Sequence, residues 1–294
     1  VDERLTDSQL AQVRAHELHN RGVDGHGVLV ALLDNGYHYR QHPALSAVEV
    51  VAARDFINGD DTVTDESGQP VTGDETRSSQ NLHGAQVMSV VVGRDADRFL
   101  GVAPGARLLL AKTEDNGAEM PVEEDRWVAG LEWADSLGAR IASTSLGYNR
   151  WDDGTGYEYA DLDGATALTS VAAAAAVRRG MVVVVAAGNE GDNEWRHVTA
   201  PADAPGVIAV GSVGVVSAAD TMAPALAASS SRGPTADGRI KPDVVAPGQG
   251  VWAAEVRGGG YVRVSGTSFA APVVAGVCAL LLQVHPNWGP DDVL

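Results

Sequence analysis

One cysteine and two lysines stand in a chain of 294 residues. The lone Cys278 rules out a disulfide framework within the chain. Its apolar neighbours mark it as a core thiol. Lys112 and Lys241 are the only lysines, and all basic residues together number 21 against 39 acids, a net charge of −18. Such an excess of acid keeps a protein soluble and argues against nucleic acid or an anionic membrane as a partner. No apolar run reaches the ~20 residues of a membrane-crossing helix, so no membrane span is expected. No charged and then apolar leader opens the chain, so a targeting segment, if the protein is exported, has already been removed. Linkers, repeats and low-complexity segments are also missing, apart from the alanine run 172–176. A chain this long with 45% hydrophobic residues can bury about three quarters of its unfolded surface. One domain spanning 1–294 is expected.

What is there reads as strands alternating with helices. Residues 9–21 form a helix ending at Gly22. Its His16-Glu17-Leu18-His19 lacks the two-histidine, four-apart spacing of the zinc-protease helix and reads as a solvated face. Residues 28–33 are continuously apolar, as in a strand buried on both sheet faces. They end at Asp34-Asn35-Gly36, which suits both a carboxylate at a sheet's carboxyl edge and a plain turn. Residues 55–76 carry seven acids and no Lys or Arg, a polar loop with oxygen ligands enough for calcium but without the twelve-residue calcium-loop spacing. His83 opens a helix whose Val87, Val90 and Val91 share a face. Strands at 106–111, 140–145, 181–187 and 207–210 then alternate with helices at 123–137 and 165–179. That order means crossover units: an α/β domain of three layers, a central mostly parallel sheet flanked by helices. Residues 290–294 look like the first turn of a truncated helix.

The last long helix carries the chemistry. Ser265-Gly266-Thr267-Ser268-Phe269-Ala270-Ala271-Pro272 leads into a stretch with no charge or amide from Phe269 to Leu282. A helix apolar all round is a buried one. Pro272 sets its start near Gly266 or Thr267. Ser268 then lies at the positive end of a buried helix, suited to a nucleophile that generates an oxyanion and equally to a helix cap. Asp34, Ser145-Leu146-Gly147 and Asn189 follow strands at their carboxyl ends, and His83 and Ser268 open helices. In a parallel sheet these positions share one edge.

On these residues the chain resembles the subtilisin-like serine peptidases, the subtilases, from about residue 9 to 293. Gly266-Thr267-Ser268-Phe269-Ala270-Ala271-Pro272 resembles the family's nucleophile motif and Ala186-Ala187-Gly188-Asn189-Glu190-Gly191 its oxyanion stretch. Gly101-Val102-Ala103-Pro104 and residues 241–248 also match, and the order Asp, His, Ser is that of subtilisin. The resemblance implies a serine endopeptidase with Ser268 as nucleophile, His83 as general base and acid, Asp34 as its orienting carboxylate, and Asn189 in the oxyanion hole. It implies a subtilisin-like fold, protein or peptide substrates, secretion, and a pro-peptide partner absent from this chain. No cofactor is required, and no metal ligand carries over, because residues 93–100 lack the Asn-rich calcium pattern. Ser145, Leu146 and Gly147 would pair with the substrate main chain, and Glu190 and Thr199 would form the rim and floor of the primary pocket. Thr199 stands where glycine is common, which implies a shallower pocket. The six acids of residues 113–125 suggest a mild preference for basic or polar residues upstream of the cleaved bond. Two departures touch the site: Asn35 replaces a Ser or Thr whose hydroxyl donates to the carboxylate, and Ala85 replaces a Thr. They leave a non-catalytic peptide-binding relative as the alternative. A serine esterase would carry Gly-x-Ser-x-Gly, which occurs nowhere in the chain.

Overall fold

The structure is a computed structural model that describes residues 4–64, 82–216 and 224–294. In chain order its elements begin with α1 (Asp7–Gln12), α2 (Ala15–His19), β1 (Leu29–Asp34), β2 (Val50–Asp55), α3 (Leu82–Val92), the short hairpin β3 (Arg94–Asp95) and β4 (Phe99–Leu100), and β5 (Arg107–Lys112). They continue with α4 (Val122–Ser136), β6 (Ile141–Thr144), α5 (Leu168–Arg178), β7 (Val182–Ala186), β8 (Ile208–Gly214), β9 (Val244–Glu255), β10 (Gly260–Ser265), α6 (Thr267–Val284) and α7 (Pro290–Val293).

The apolar run at 29–33 is explained by where β1 sits. The main sheet has the order β10-β9-β8-β7-β6-β1-β5-β2, parallel throughout except for β10, so β1 has neighbours on both sides and helices above and below. Alternate side chains go to opposite faces. Val30 and Leu32 join the core beneath α3 and α6, whereas Leu29, Ala31 and Leu33 join the core beneath α4 and α5. The same division splits Leu108 and Leu110 from Leu109 and Ala111 in β5. Neither face can take a polar residue, and the polar residues begin where the strands stop, at Asp34 and Lys112.

Helix α6 runs beneath β6, β7, β8 and β9 and against α3. By length and mean hydropathy, 18 residues and 1.9, it could cross a membrane, unlike the expectation from shorter runs, but 67% of it is buried inside the domain. Its small residues permit the approach. A Cβ on Gly276 would lie 2.5 Å from Val102 Cβ, in the Gly101-Val102-Ala103-Pro104 segment.

Three readings need correction. The single helix expected at 9–21 is two, broken at Arg14, whose φ is 59°. Tertiary anchoring prevails over helical continuity: the Gln9 carboxamide bonds Trp252 in β9, and Gln12 bonds Gly214 and Val216. His16 and His19 are half-buried rather than solvated, and their Nε2 atoms bond the carbonyls of Asp7 and Val102 at 3.1 and 2.8 Å. Strands β2, β9 and β10 were not expected. Antiparallel β10 matters most, since it returns the chain along β9 and delivers Ser265 and Gly266 to the head of α6.

Candidate active site

Asp34 ends β1 fully buried, and His83 is the second residue of α3 with its side chain a quarter exposed. His83 Nδ1 lies 2.8 Å from Asp34 Oδ1. The carboxylate can only accept, so Nδ1 carries the proton and Nε2 is left as the basic nitrogen. Burial pulls the imidazole toward its neutral form, but the charge of Asp34 and its hydrogen bond prevail and hold His83 above its ordinary value. Gly84 makes this pairing sterically feasible. A Cβ there would lie 2.3 Å from the Gly36 carbonyl and 3.0 Å from Asp34 Cβ. The glycine after the histidine was a signal in the sequence, and its meaning was missed.

Asn35 divides its role. Its backbone N–H donates to Asp34 Oδ1 at 2.8 Å, and its carboxamide oxygen accepts from Gly84 N at 3.1 Å, satisfying one of the free N–H groups at the head of α3. Its Nδ2 donates to Asn116 Oδ1 at 3.1 Å. The other carboxylate oxygen, Asp34 Oδ2, is buried without a hydrogen-bond partner among the described residues. Ala85 points into the core with Met88 and Val87.

Ser268 is the second residue of α6, and Phe269 beside it packs against the His83 ring, centroids 5.5 Å apart. Pro272 has no N–H with which to bond the Ser268 carbonyl four residues back. That carbonyl accepts from Ser145 Oγ at 2.7 Å instead, and the Ser268 hydroxyl donates to the Ser145 carbonyl at 3.2 Å. A reciprocal clasp thus joins the head of α6 to the end of β6. The proline, read in the sequence only as a start marker, frees the acceptor that makes it. In this resting arrangement the hydroxyl is engaged with Ser145, not with the imidazole.

Asn189 is exposed at the end of β7. Its Oδ1 accepts from both the N–H and the hydroxyl of Thr267, at 2.8 and 3.1 Å. Two donors on that atom define which end of the carboxamide is oxygen, so Nδ2 is presented as a donor. Thr267 also accepts from Gly188 N at 3.2 Å. It holds Asn189 in place, a role the sequence reading did not give it. Gly266, at φ 142°, turns the chain from β10 into the helix, a conformation L-residues rarely adopt.

A cavity of about 100 Å³ opens beside Ser268, walled by Ser145, Leu146, Gly147 and Asn149 on one side and Gly188, Asn189 and Glu190 on the other, with Thr199 between. All five residues expected to bind substrate therefore line one space with the serine. Thr199 is clamped there by its neighbours: its N–H donates to Ala187 O, and Ala200 exchanges two backbone hydrogen bonds with Tyr148. A wider cleft of about 630 Å³ adjoins through Asn149 and Glu190, between residues 149–158 and 190–195.

The acidic segment 113–125 does not face this space as expected. Glu114, Glu123 and Glu124 are buried. Glu114 accepts from Tyr148 Oη and Thr113 Oγ1, Glu123 from the N–H groups of Asp115 and Met120, and Glu124 from Tyr157 Oη. These carboxylates brace loops, and half of the charge behind the expected basic preference is gone from the groove.

Calcium finds no fit in the described part of the acidic loop. Asp55 is fully buried against Lys112 Nζ at 2.7 Å and caps Ile57 and Asn58, and Asp60 accepts from Thr62 N. Among the described residues no three His, Cys, Asp or Glu side chains cluster to hold a metal ion. Residues 65–76 of that loop lie outside the described residues. Cys278 is buried and its thiol is pushed by burial up to about 12, in line with an inert core role.

A family profile described as "Subtilase family" matches residues 25–293. The chain belongs to the subtilases. It is similar to subtilisin E of Bacillus subtilis, 31% identical over 284 residues, covering 95% of this chain and 61% of that protein. Subtilisin of Bacillus pumilus is 32% identical, with 95% and 85% covered. Among solved structures, sphericase superposes with a TM-score of 0.69 at 26% identity, over 92% of this chain and 81% of that one. A cold-adapted subtilisin-like serine proteinase gives 0.65 at 25%. The three-layer arrangement is thus the subtilisin-like fold, while this subtilase spans about three fifths of the length of subtilisin E.

Proposed function

We propose that this subtilase is a serine endopeptidase that cleaves proteins or peptides through Asp34, His83 and Ser268 by way of an acyl-enzyme. One observation carries the reading: an imidazole bonded to a buried carboxylate through Nδ1, with Nε2 unclaimed among the described residues, beside the helix head that bears Ser268. The substrate main chain pairs along Ser145 to Gly147. The Ser268 hydroxyl turns from the Ser145 carbonyl to His83 Nε2, which takes its proton as Oγ attacks the scissile carbonyl. Asn189 Nδ2 and the Ser268 N–H, both donors at a helix's positive end, receive the developing oxyanion. Asp34 steadies the imidazolium. Collapse expels the amine with the proton from His83, and water repeats the sequence to release the acid. No metal is asked to act. Export and maturation from a precursor with a pro-peptide are part of the same proposal.

The test is labelling by a fluorophosphonate probe together with casein hydrolysis, wild type against Ser268→Ala. Labelling and hydrolysis by the wild type alone are expected. A probe adduct on the Ala variant would mean another nucleophile. Peptide binding with neither labelling nor hydrolysis would mean a non-catalytic relative.

A further inference from the structure

Asn-Gly occurs three times in the chain, at 35–36, 58–59 and 116–117. In this dipeptide no side chain on the second residue shields the asparagine carboxamide from the next main-chain nitrogen, and asparagine is a thermolabile residue. The structure treats the three pairs differently. Asn35 is buried, with its oxygen on Gly84 N and its Nδ2 on Asn116. Asn58 is exposed, but Asp55 holds both reacting groups: its Oδ2 accepts from Asn58 Nδ2 at 3.2 Å, and its carbonyl accepts from Gly59 N at 3.0 Å. Asn116 and Gly117 are exposed, in a turn closed by Ala118 N on the Asp115 carbonyl at 3.2 Å. Here the surroundings favour reaction. Asn116 Oδ1 accepts from Asn35 Nδ2 at 3.1 Å, which draws charge away from Cγ. The direction of that bond is defined, because Asn35 commits its own oxygen to Gly84 N. Gly117 N donates to Asp115 Oδ1 at 2.9 Å, so a carboxylate already holds the proton that must leave.

We propose that Asn116-Gly117 is a site of spontaneous covalent modification, deamidation through a succinimide, and that its conversion loosens the support of Asp34 and His83. The carboxylate of Asp115 takes the proton of Gly117 N, in the manner of a positioned general base. The nitrogen attacks Asn116 Cγ, and Asn35 Nδ2 donates to the oxygen on which charge develops. A bond forms between Gly117 N and Cγ, the bond from Cγ to Nδ2 breaks, and ammonia leaves with the proton. Water then opens the ring at either carbonyl and gives an aspartyl or an isoaspartyl residue. The aspartyl product keeps an oxygen for Asn35 and adds a negative charge. The isoaspartyl product carries the main chain through the former side chain, one carbon longer, and draws the acceptor away from Asn35. Asn35 is the residue that caps Gly84 N beside His83 and whose own N–H bonds Asp34 Oδ1. A change at residue 116 therefore reaches the base through one side chain. The chemistry stands apart from the peptidase reading, and only the change in turnover rests on it.

The experiment follows the folded Ser268→Ala chain, which cannot digest itself by the proposed mechanism, during incubation at mildly alkaline pH. Peptide mapping by mass reads the change from amide to acid at each Asn-Gly pair, and isoaspartyl methyltransferase reads the isoaspartyl share. Conversion is expected at Asn116 ahead of Asn58 and Asn35. Asp115→Asn, made in the same background, keeps an oxygen for Gly117 N but not the base, and should slow conversion at Asn116 by about tenfold or more. Conversion first at Asn58 or Asn35, or an Asp115→Asn chain that converts at the unaltered rate, overturns the proposal. The second readout is turnover. The wild-type chain is aged under a reversible peptide-aldehyde inhibitor, dialysed, and normalised by titration of active sites. As Asn116 converts, kcat should fall by about two- to fivefold, the usual worth of one lost hydrogen bond, with KM held, because Asn35 supports the base. Asn116→Gln, read against its own starting value, should hold its kcat. Full conversion with kcat unchanged, or a rise in KM alone, overturns the link to the site. A fresh wild type with no labelling and no hydrolysis sinks the peptidase reading and leaves the mass result to decide the modification.

Discussion

Two sets of buried acids are held in opposite ways. Asp34 sits at the end of a strand with a histidine on one oxygen, and its charge holds His83 above its ordinary value. Glu114, Glu123 and Glu124 sit at the head of α4 and the loop before it, and they accept from tyrosine and threonine hydroxyls and backbone N–H groups. Burial, and then the charge of Glu123, push the Glu114 carboxyl well above its usual range. Burial pushes Glu123 up to about 7 against the hydrogen bonds from Asp115 and Met120. The teaching is that a buried carboxylate is defined by its partner. Beside a titratable base it becomes an electrostatic anchor. Among neutral donors it becomes a brace that tends to keep its proton.

The largest expected contrast is in turnover. Asp34→Asn keeps the size of the side chain but reverses the donor relation to His83 Nδ1, and should lower kcat by about 10⁴-fold with the fold retained. Glu124→Gln, equally buried, keeps an oxygen to accept from Tyr157 Oη and should change kcat by less than about threefold, since its surroundings never require the charge. Circular dichroism and titration of active sites on both proteins check that like is compared with like. A Glu124→Gln loss near that of Asp34→Asn would mean that the brace takes part in the chemistry.

The two regions should also separate along the pH axis. In the proposed mechanism His83 must be neutral to accept the Ser268 proton, so kcat/KM should rise with pH through a midpoint above the ordinary 6.5 of an imidazole. Stability contributed by the charged His83–Asp34 pair runs the other way, complete below about 6.5 and lost as pH rises through that higher midpoint. The glutamates act earlier. The folded state keeps a proton on Glu123 that the unfolded chain has released, so stability falls as pH rises from about 4.5 to about 7. Glu123→Gln should flatten the melting temperature across that window and leave the midpoint of kcat/KM unmoved. If the kcat/KM midpoint moves with Glu123, the two regions are one coupled system and the comparison breaks.

The legibility of the chain follows the same line. Central strands announce themselves because both faces are apolar, and the residue that ends each run, such as Asp34, is where a polar group first becomes tolerable. The head of α6 was readable because glycine, threonine, serine and proline each have one narrow use there. Edge strands β2 and β10 were not, since most of their residues are only partly buried and their patterns blend into loops. Side-chain direction was the other blind spot. Six acids in thirteen residues look like a charged surface until Tyr148 and Tyr157, distant in the chain, prove to be partners of two that turn inward, Glu114 and Glu124. The Asn35 position was seen as a departure, but its consequence could not be read, because the partners Gly84 and Asn116 lie 49 and 81 residues away.

The smallest effect concerns that position and sharpens what Asp34 itself lacks. Asn35→Ser is designed to offer a hydroxyl to Asp34 Oδ2, the buried oxygen without a partner among the described residues. A donor there strengthens the charged carboxylate and, in the proposed mechanism, the imidazolium that forms during attack, so kcat/KM should rise by about two- to fivefold. The same change removes the acceptor of Gly84 N at the head of α3 and should lower stability by about 1 kcal/mol, the usual loss of a helix cap. Activity and melting temperature therefore move in opposite directions. A kcat/KM that stays level or falls while the melting temperature drops would show that the carboxamide contributes only through the helix and that the second oxygen of Asp34 needs no donor for the reaction.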